Sequence, residues 1–119
     1  MPIKKLCILY FSLVLLGGTV WAQSQSELNQ QAHPDFVKAD KELNLIYKKL
    51  MKTVSGPEKE RWVSAQLKWV EFRDLDAKAC SAQMLGGSAE VMLFHGRRAA
   101  NTRQRTQDIQ RYLESFESR

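Results

Sequence analysis

The sequence predicts an all-α protein: a small three-helix antiparallel bundle that follows a cleaved signal peptide. Three observations carry this prediction. The N-terminus holds a short apolar run that ends at a small-residue processing site. Three later segments place apolar residues at steps of three and four, the period of a helix face. Two short glycine-containing turns separate those segments, which favours antiparallel neighbours.

The leader comes first. Lys4 and Lys5 open it, Leu6 to Leu16 is nearly all apolar, and Gly17-Gly18 breaks the run before Val20-Trp21-Ala22. This pattern predicts cleavage after Ala22, with residues 1–22 as signal peptide and 23–119 as one helical domain in the periplasm or outside the cell. The apolar run falls short of the roughly 20 residues of a membrane span, so no stable span is expected after cleavage. Loss of Lys4 and Lys5 leaves 16 of the 18 basic side chains against 13 acidic ones, a net charge near +3. That excess does not by itself argue for nucleic acid. A domain of this size has a modest stability margin, and exported domains often gain from disulfides. Cys80 is the sole cysteine after cleavage, so it stays a free thiol or pairs with another molecule.

The first helix is expected from about Asp35 to Thr53, with Phe36, Ala39, Leu43, Ile46 and Leu50 on one stripe. Ser24-Gln25-Ser26-Glu27 is read as the cap of an earlier turn, and Pro34 as a break or kink. Ser55-Gly56-Pro57-Glu58 reads as a turn with a capping box. The second helix shows Trp62, Ala65, Trp69 and Phe72 as its apolar stripe, continuing through Leu75 to Ala79. Gly86-Gly87 ends it, and Ser88 is the expected N-cap of the third helix. There Val91, Phe94, Ile109, Tyr112 and Phe116 share a stripe whose middle is made polar by Arg98, Thr102 and Arg105, and Gly96 marks a point of division.

Catalysis finds little support. The sequence has no HExxH, CxxC or glycine-rich phosphate loop, and two histidines, His33 and His95, with scattered acids make no metal site. No cofactor is expected. His95 reads as a packed or surface histidine, and Cys80 as a small, half-buried residue near the end of helix two. Arg73-Asp74 follows Trp69 and Phe72 on the core-facing side of that helix, so one of the pair sits at the border of the stripe, and Arg105 lies on the seam of helix three. A charge facing a core needs a partner, because an isolated buried charge is very costly. The expected structural network is therefore Asp74 or Asp40 accepting from Arg73 or Arg105. Arg97, Arg98, Arg103, Arg105 and Arg111 crowd helix three, either as a solvated face or as a surface for carboxylates or phosphates. Gly86, Gly87 and Ser88, together with Arg97 and Arg98, are the candidate partner contacts.

Leu28-Asn29 with Ala32 opens a longer pattern: Ala39-Asp40-Lys41-Glu42-Leu43-Asn44 and Tyr47 follow, then Ala65-Gln66 and Trp69. Phe72-Arg73-Asp74, Gly86-Gly87-Ser88, Thr102 and Arg105 complete it. In this order and spacing the residues resemble the LprI-type lysozyme inhibitor family of small exported bacterial proteins, from about Leu28 to Ile109. The family pattern places cysteines where this sequence has Gln31, Ala77 and about Arg97, with Cys80 three residues off, so the family's usual disulfide staple is absent here. The resemblance implies an envelope protein that binds a protein partner and inhibits lysozyme by occluding its cleft. The alternative is an accessory module that binds an anionic envelope component or another envelope protein, with no inhibitor activity.

Overall fold

The computed structural model describes residues 32–84 and 86–119. The signal peptide with its cleavage after Ala22, the capping turn at residues 24–27 and Gln31 lie outside the described residues, as does the side chain of Ser88. Within them the chain is all helix and turn, with no strand. Helix α1 covers residues 32–53, α2 Gly56–Ser81 and α3 Ser88–Glu117, with a 3-10 turn at Ala82–Met84 between the last two. Among the described residues no helix is long and apolar enough to cross a membrane.

The direction of each helix follows from its cross-contacts. Glu58 meets Tyr112, Gln66 meets Arg105, and Asp76 meets Arg97, so α2 and α3 run antiparallel. His33 meets His95 and Lys49 meets Glu117, so α1 runs parallel to α3. The result is an up-down-up bundle whose short loops leave no other choice of neighbour.

Both turns depend on a glycine. Gly56 has φ +60 and Gly86 φ +82, backbone that an L side chain rarely adopts. At the first turn, Val54 N–H closes the end of α1 on the Leu50 carbonyl, and Pro57 follows in the opening turn of α2, where its missing N–H has no intrahelical partner to lose. The expected capping box does not form. Ser55 sits at the N-cap without a side-chain bond, and the Glu58 carboxylate instead accepts from the Tyr112 hydroxyl. Gly87, not Ser88, holds the N-cap of α3, and Ser88 is its first helical residue. Helical backbone also runs through Pro34, whose fixed φ is itself helical, so no break occurs there. Gly96 leaves α3 undivided.

The interior has two unlike halves. Around the first turn, Leu43, Leu50, Val54, Ile109 and Leu113 are buried and are flanked by Tyr47, Trp62, Trp69, Tyr112 and Phe116. Toward the α2–α3 turn the interior holds small residues, Ala39, Ala77, Ser81, Ala99 and Thr102, around Phe36 and Arg73. The face that α2 turns inward is therefore Trp62-Gln66-Trp69-Arg73-Ala77. Of the stripe expected there, Ala65, Phe72 and Leu75 point to solvent, with Phe72 56% and Leu75 64% exposed. Val91 of α3 is likewise outside. The reason is chemical: Trp62, Trp69 and Arg73, the last stacked on Trp69, fill the seam, and the smaller apolar residues lie one position along the helix.

Leu50 is fully buried in the apolar half. Leu50→Ala is expected to cost about 2–5 kcal/mol through lost burial and a residual cavity. Thermal unfolding followed by circular dichroism measures it, and a change below about 1 kcal/mol would contradict this placement of the core.

Candidate functional site

The polar half of the interior is built on arginine. The Arg73 side chain is 8% exposed, and its guanidinium lies 5.1 Å from the Phe36 ring centroid and 5.4 Å from that of Trp69. Its Nη1 donates to Asp40 Oδ1 of α1 at 3.2 Å, and its Nε to Asp74 Oδ1 at 3.0 Å. Arg98 of α3 covers the same Phe36 ring at 3.7 Å, and its Nε donates to the same Asp74 oxygen at 3.1 Å. Arg105, two helical turns further on, lies between Trp62 and Trp69 at 5.4 and 5.6 Å and donates from Nε to Gln66 Oε1 at 3.0 Å. Guanidinium planes and aromatic rings thus alternate along the bundle from Phe94 to Trp62, where the Tyr112 and Phe116 rings take over. Each stacked contact contributes about 0.5–2 kcal/mol.

The electrostatics follow from this packing. Burial raises the pKa of Asp74, but the Arg73 hydrogen bond and the charges of Arg73 and Arg98 outweigh it, so its carboxyl titrates below the usual range. Burial pushes the Arg105 guanidinium down from its usual value, which Asp108 and Tyr47 oppose. Its Nη2, like the Thr102 hydroxyl, is buried without a protein hydrogen-bond partner.

The residues of the expected network are all in this half, but not all with the expected partners. Asp40, Arg73 and Asp74 are joined, and Trp69 stacks on Arg73. Arg105 meets no aspartate there; Gln66, spaced between Trp62 and Trp69 on the inner face, is its acceptor. Phe36 as the ring shared by two arginines, and Gln66, went unread in the sequence. The 3–4 spacing of Trp62, Gln66 and Trp69 was the available signal for the latter.

The arginines of α3 do not assemble into one basic surface. Arg98 and Arg105 turn inward, so Arg98 is not the exposed contact expected of it. Arg97 grips Asp76 of α2 in a fork, Nε to Oδ2 at 2.7 Å and Nη2 to Oδ1 at 3.3 Å, and Asn101 adds a bond to Oδ2 at 2.7 Å. Those bonds hold the Asp76 carboxyl below its usual range and raise the Arg97 guanidinium. Arg103 and Arg111 are exposed. One shallow cavity of about 170 Å³ is lined by Asp35, Lys38, Glu42 and Arg103, mixed in charge. The α2–α3 turn presents Met84, Gly86 and Gly87 to solvent, and its Gly86 N–H donates to Glu90 Oε2 at 3.0 Å.

His33 and His95 touch edge to face at 4.7 Å beside that turn, and His95 also packs on Phe36 and Phe94. Burial, then His33, then Arg98 push the His95 imidazole below its ordinary pKa. Cys80 is half-buried and outside any disulfide. Among the described residues no three His, Cys, Asp or Glu side chains come together as a metal site.

The described residues define a small all-α protein, a three-helix bundle whose interior charges tie its helices together and whose glycine turn is exposed. The family model described as lysozyme inhibitor LprI matches residues 19–109, most of the chain, and the chain belongs to that family. A curated relative, an uncharacterised protein of Rhizobium meliloti (strain 1021), is 32% identical over 110 residues, covering 82% of this chain and 79% of its own. No solved structure matches the chain.

Two pH responses follow. Asp74 is ionised more readily in the fold than in the unfolded chain. Its contribution is therefore present above about pH 4 and lost as pH falls through its lowered folded value. Asp74→Asn is expected to flatten the acid limb of stability measured by urea unfolding; an unchanged limb would refute this. His95 behaves the other way in charge: its neutral form is favoured by the fold, so stability is full above about pH 6.5 and declines as pH drops below that. His95→Gln is expected to remove the loss between about pH 7 and pH 5, read as the change in urea midpoint.

Proposed function

We propose that the protein is exported by cleavage after Ala22 and acts in the envelope as a non-catalytic binding protein that inhibits lysozyme by placing its α2–α3 turn in the enzyme's cleft. Membership of a family described as lysozyme inhibitors, over residues 19–109, is the observation that carries this reading. The turn supports it sterically. It stands at one end of the bundle, exposes Met84 beside two glycines, and keeps its shape through the positive φ of Gly86. Glycines let a backbone come close to a partner, and a lysozyme cleft carries two carboxylates within reach of such a tip. Arg97 lies at the other side of that end as the exposed cation, already bonded to Asp76.

Long-range attraction plays no part in this proposal. A processed chain near +3 gains no steering toward a cationic lysozyme, so affinity has to come from fit. The alternative, an accessory module for an anionic envelope component, asks for a free arginine surface. The inward turn of Arg98 and Arg105 and the pairing of Arg97 support it less.

Purified protein titrated into a cell-wall lysis assay is expected to slow lysozyme in a saturable way. A Cβ at Gly87 meets nothing nearer than 3.7 Å. Gly87→Trp is therefore expected to leave helicity unchanged and to cost the α3 N-cap only about 1 kcal/mol, while abolishing inhibition. Undiminished lysis at tens of micromolar protein overturns the proposal, and full inhibition by Gly87→Trp overturns the role of the turn.

A further inference from the structure

Helix α2 carries a second apolar stripe that nothing in the bundle uses. Ala65, Lys68, Phe72, Leu75 and Ala79, with Ala82 at the start of the 3-10 turn, recur at alternating steps of three and four, and all six are exposed. This is the spacing of the a and d positions of a heptad, and it lies beside, not on, the face of the inward residues Gln66, Arg73 and Ala77. A lone exposed leucine needs no explanation, whereas a six-member seam with Phe72 and Leu75 at its middle does.

We propose that this outer face of α2 is a docking surface for a second copy of the chain, packed antiparallel about a two-fold axis between Phe72 and Leu75. The charges beside the seam choose this occupant and this direction. Glu71 and Lys78, both exposed, flank one edge of the stripe, and Asp76 flanks the other. In an antiparallel two-fold pair, Glu71 of each copy lies across from Lys78 of the other, so one attraction is made twice. Phe72 then meets Leu75 of the second copy, and Ala65 meets Ala82. A parallel pair in register would instead set Glu71 beside Asp76, a carboxylate that Arg97 already occupies, and would make neither attraction. Lys68, the one charged member, faces an alanine of the second copy and reaches solvent along its own stem.

The seam is short, and only Phe72 and Leu75 are large. With two large side chains at its centre and alanines around them, it is expected to bury less than the roughly 800 Å² per partner of a stable complex. The dimer is therefore weak and concentration-dependent, with Kd of about 10–1000 µM.

Sedimentation velocity of the purified protein, in reductant so that Cys80 cannot crosslink copies, tests this from about 1 µM to about 1 mM. A reversible monomer–dimer equilibrium is expected. Phe72→Glu is expected to raise Kd at least about tenfold with unchanged circular dichroism. Glu71→Lys is expected to raise it by about threefold or more, and adding Lys78→Glu to restore it. A monomer at every concentration overturns the proposal. So does a dimer that tolerates Phe72→Glu, one that the double charge exchange fails to restore, or one that appears only without reductant.

Discussion

The structure depends on one demand: a guanidinium taken out of water must find acceptors on more than one helix. Arg73 is the group that makes this demand. It reaches Asp40 on α1 and Asp74 on its own helix, and Asp74 in turn holds Arg98 of α3. Three helices are thereby tied through two carboxylates, and each tie fixes an axial position as well as a neighbour. Apolar packing alone fixes neighbours but tolerates sliding, since small side chains such as Ala39, Ala77 and Ala99 present little relief. The arginine half of the interior supplies the register that those small residues cannot.

Rings complete what the carboxylates begin. Guanidinium groups are weakly hydrated and planar, so they stack on aromatic faces at less desolvation cost than an ammonium. Phe36 serves Arg73 and Arg98, and Trp69 serves Arg73 and Arg105. A lysine at any of these positions would keep the charge and lose the plane. The same arrangement explains why a chain with eight arginines shows so little free basic surface around α3: several of the cations are structural members.

The helices were legible because length, turn glycines and three-four spacing all agreed. Residues such as Leu43, Leu50 and Ile109 lie where their spacing put them. The inward face of α2 was less legible. Trp62, Ala65, Trp69 and Phe72 form an acceptable helical stripe on apolarity alone, and the competing stripe through Gln66 and Arg73 looks polar on paper. The place of Arg73 beside Trp69 on the core-facing side and its need for Asp40 or Asp74 were legible. Hydropathy cannot foresee that Arg73 and Gln66, rather than Phe72 and Ala65, line the seam, because the rings and acceptors that make them tolerable lie mostly on other helices. Capping differs from the local pattern for a related reason: Glu58 suits a capping box, yet a tyrosine more than fifty residues later offers it a better donor. The exposed turn was legible from Gly86-Gly87, and the stripe of α3 already ran through Arg98. Yet the sequence equally offered Arg98 as a surface contact, since only Phe36 and Asp74 on other helices decide between the two.

The division of the interior into an oily end and an ionic end has a further consequence for how solvent acts on the molecule. Water structure weakens the first as temperature falls, because apolar association loses strength on cooling. Dissolved ions act on the second, because they screen partly exposed carboxylates such as Asp40 and Asp74. Chill and brine therefore loosen opposite ends of one short rod, and the proposed lysozyme-facing turn stands at the end that brine reaches.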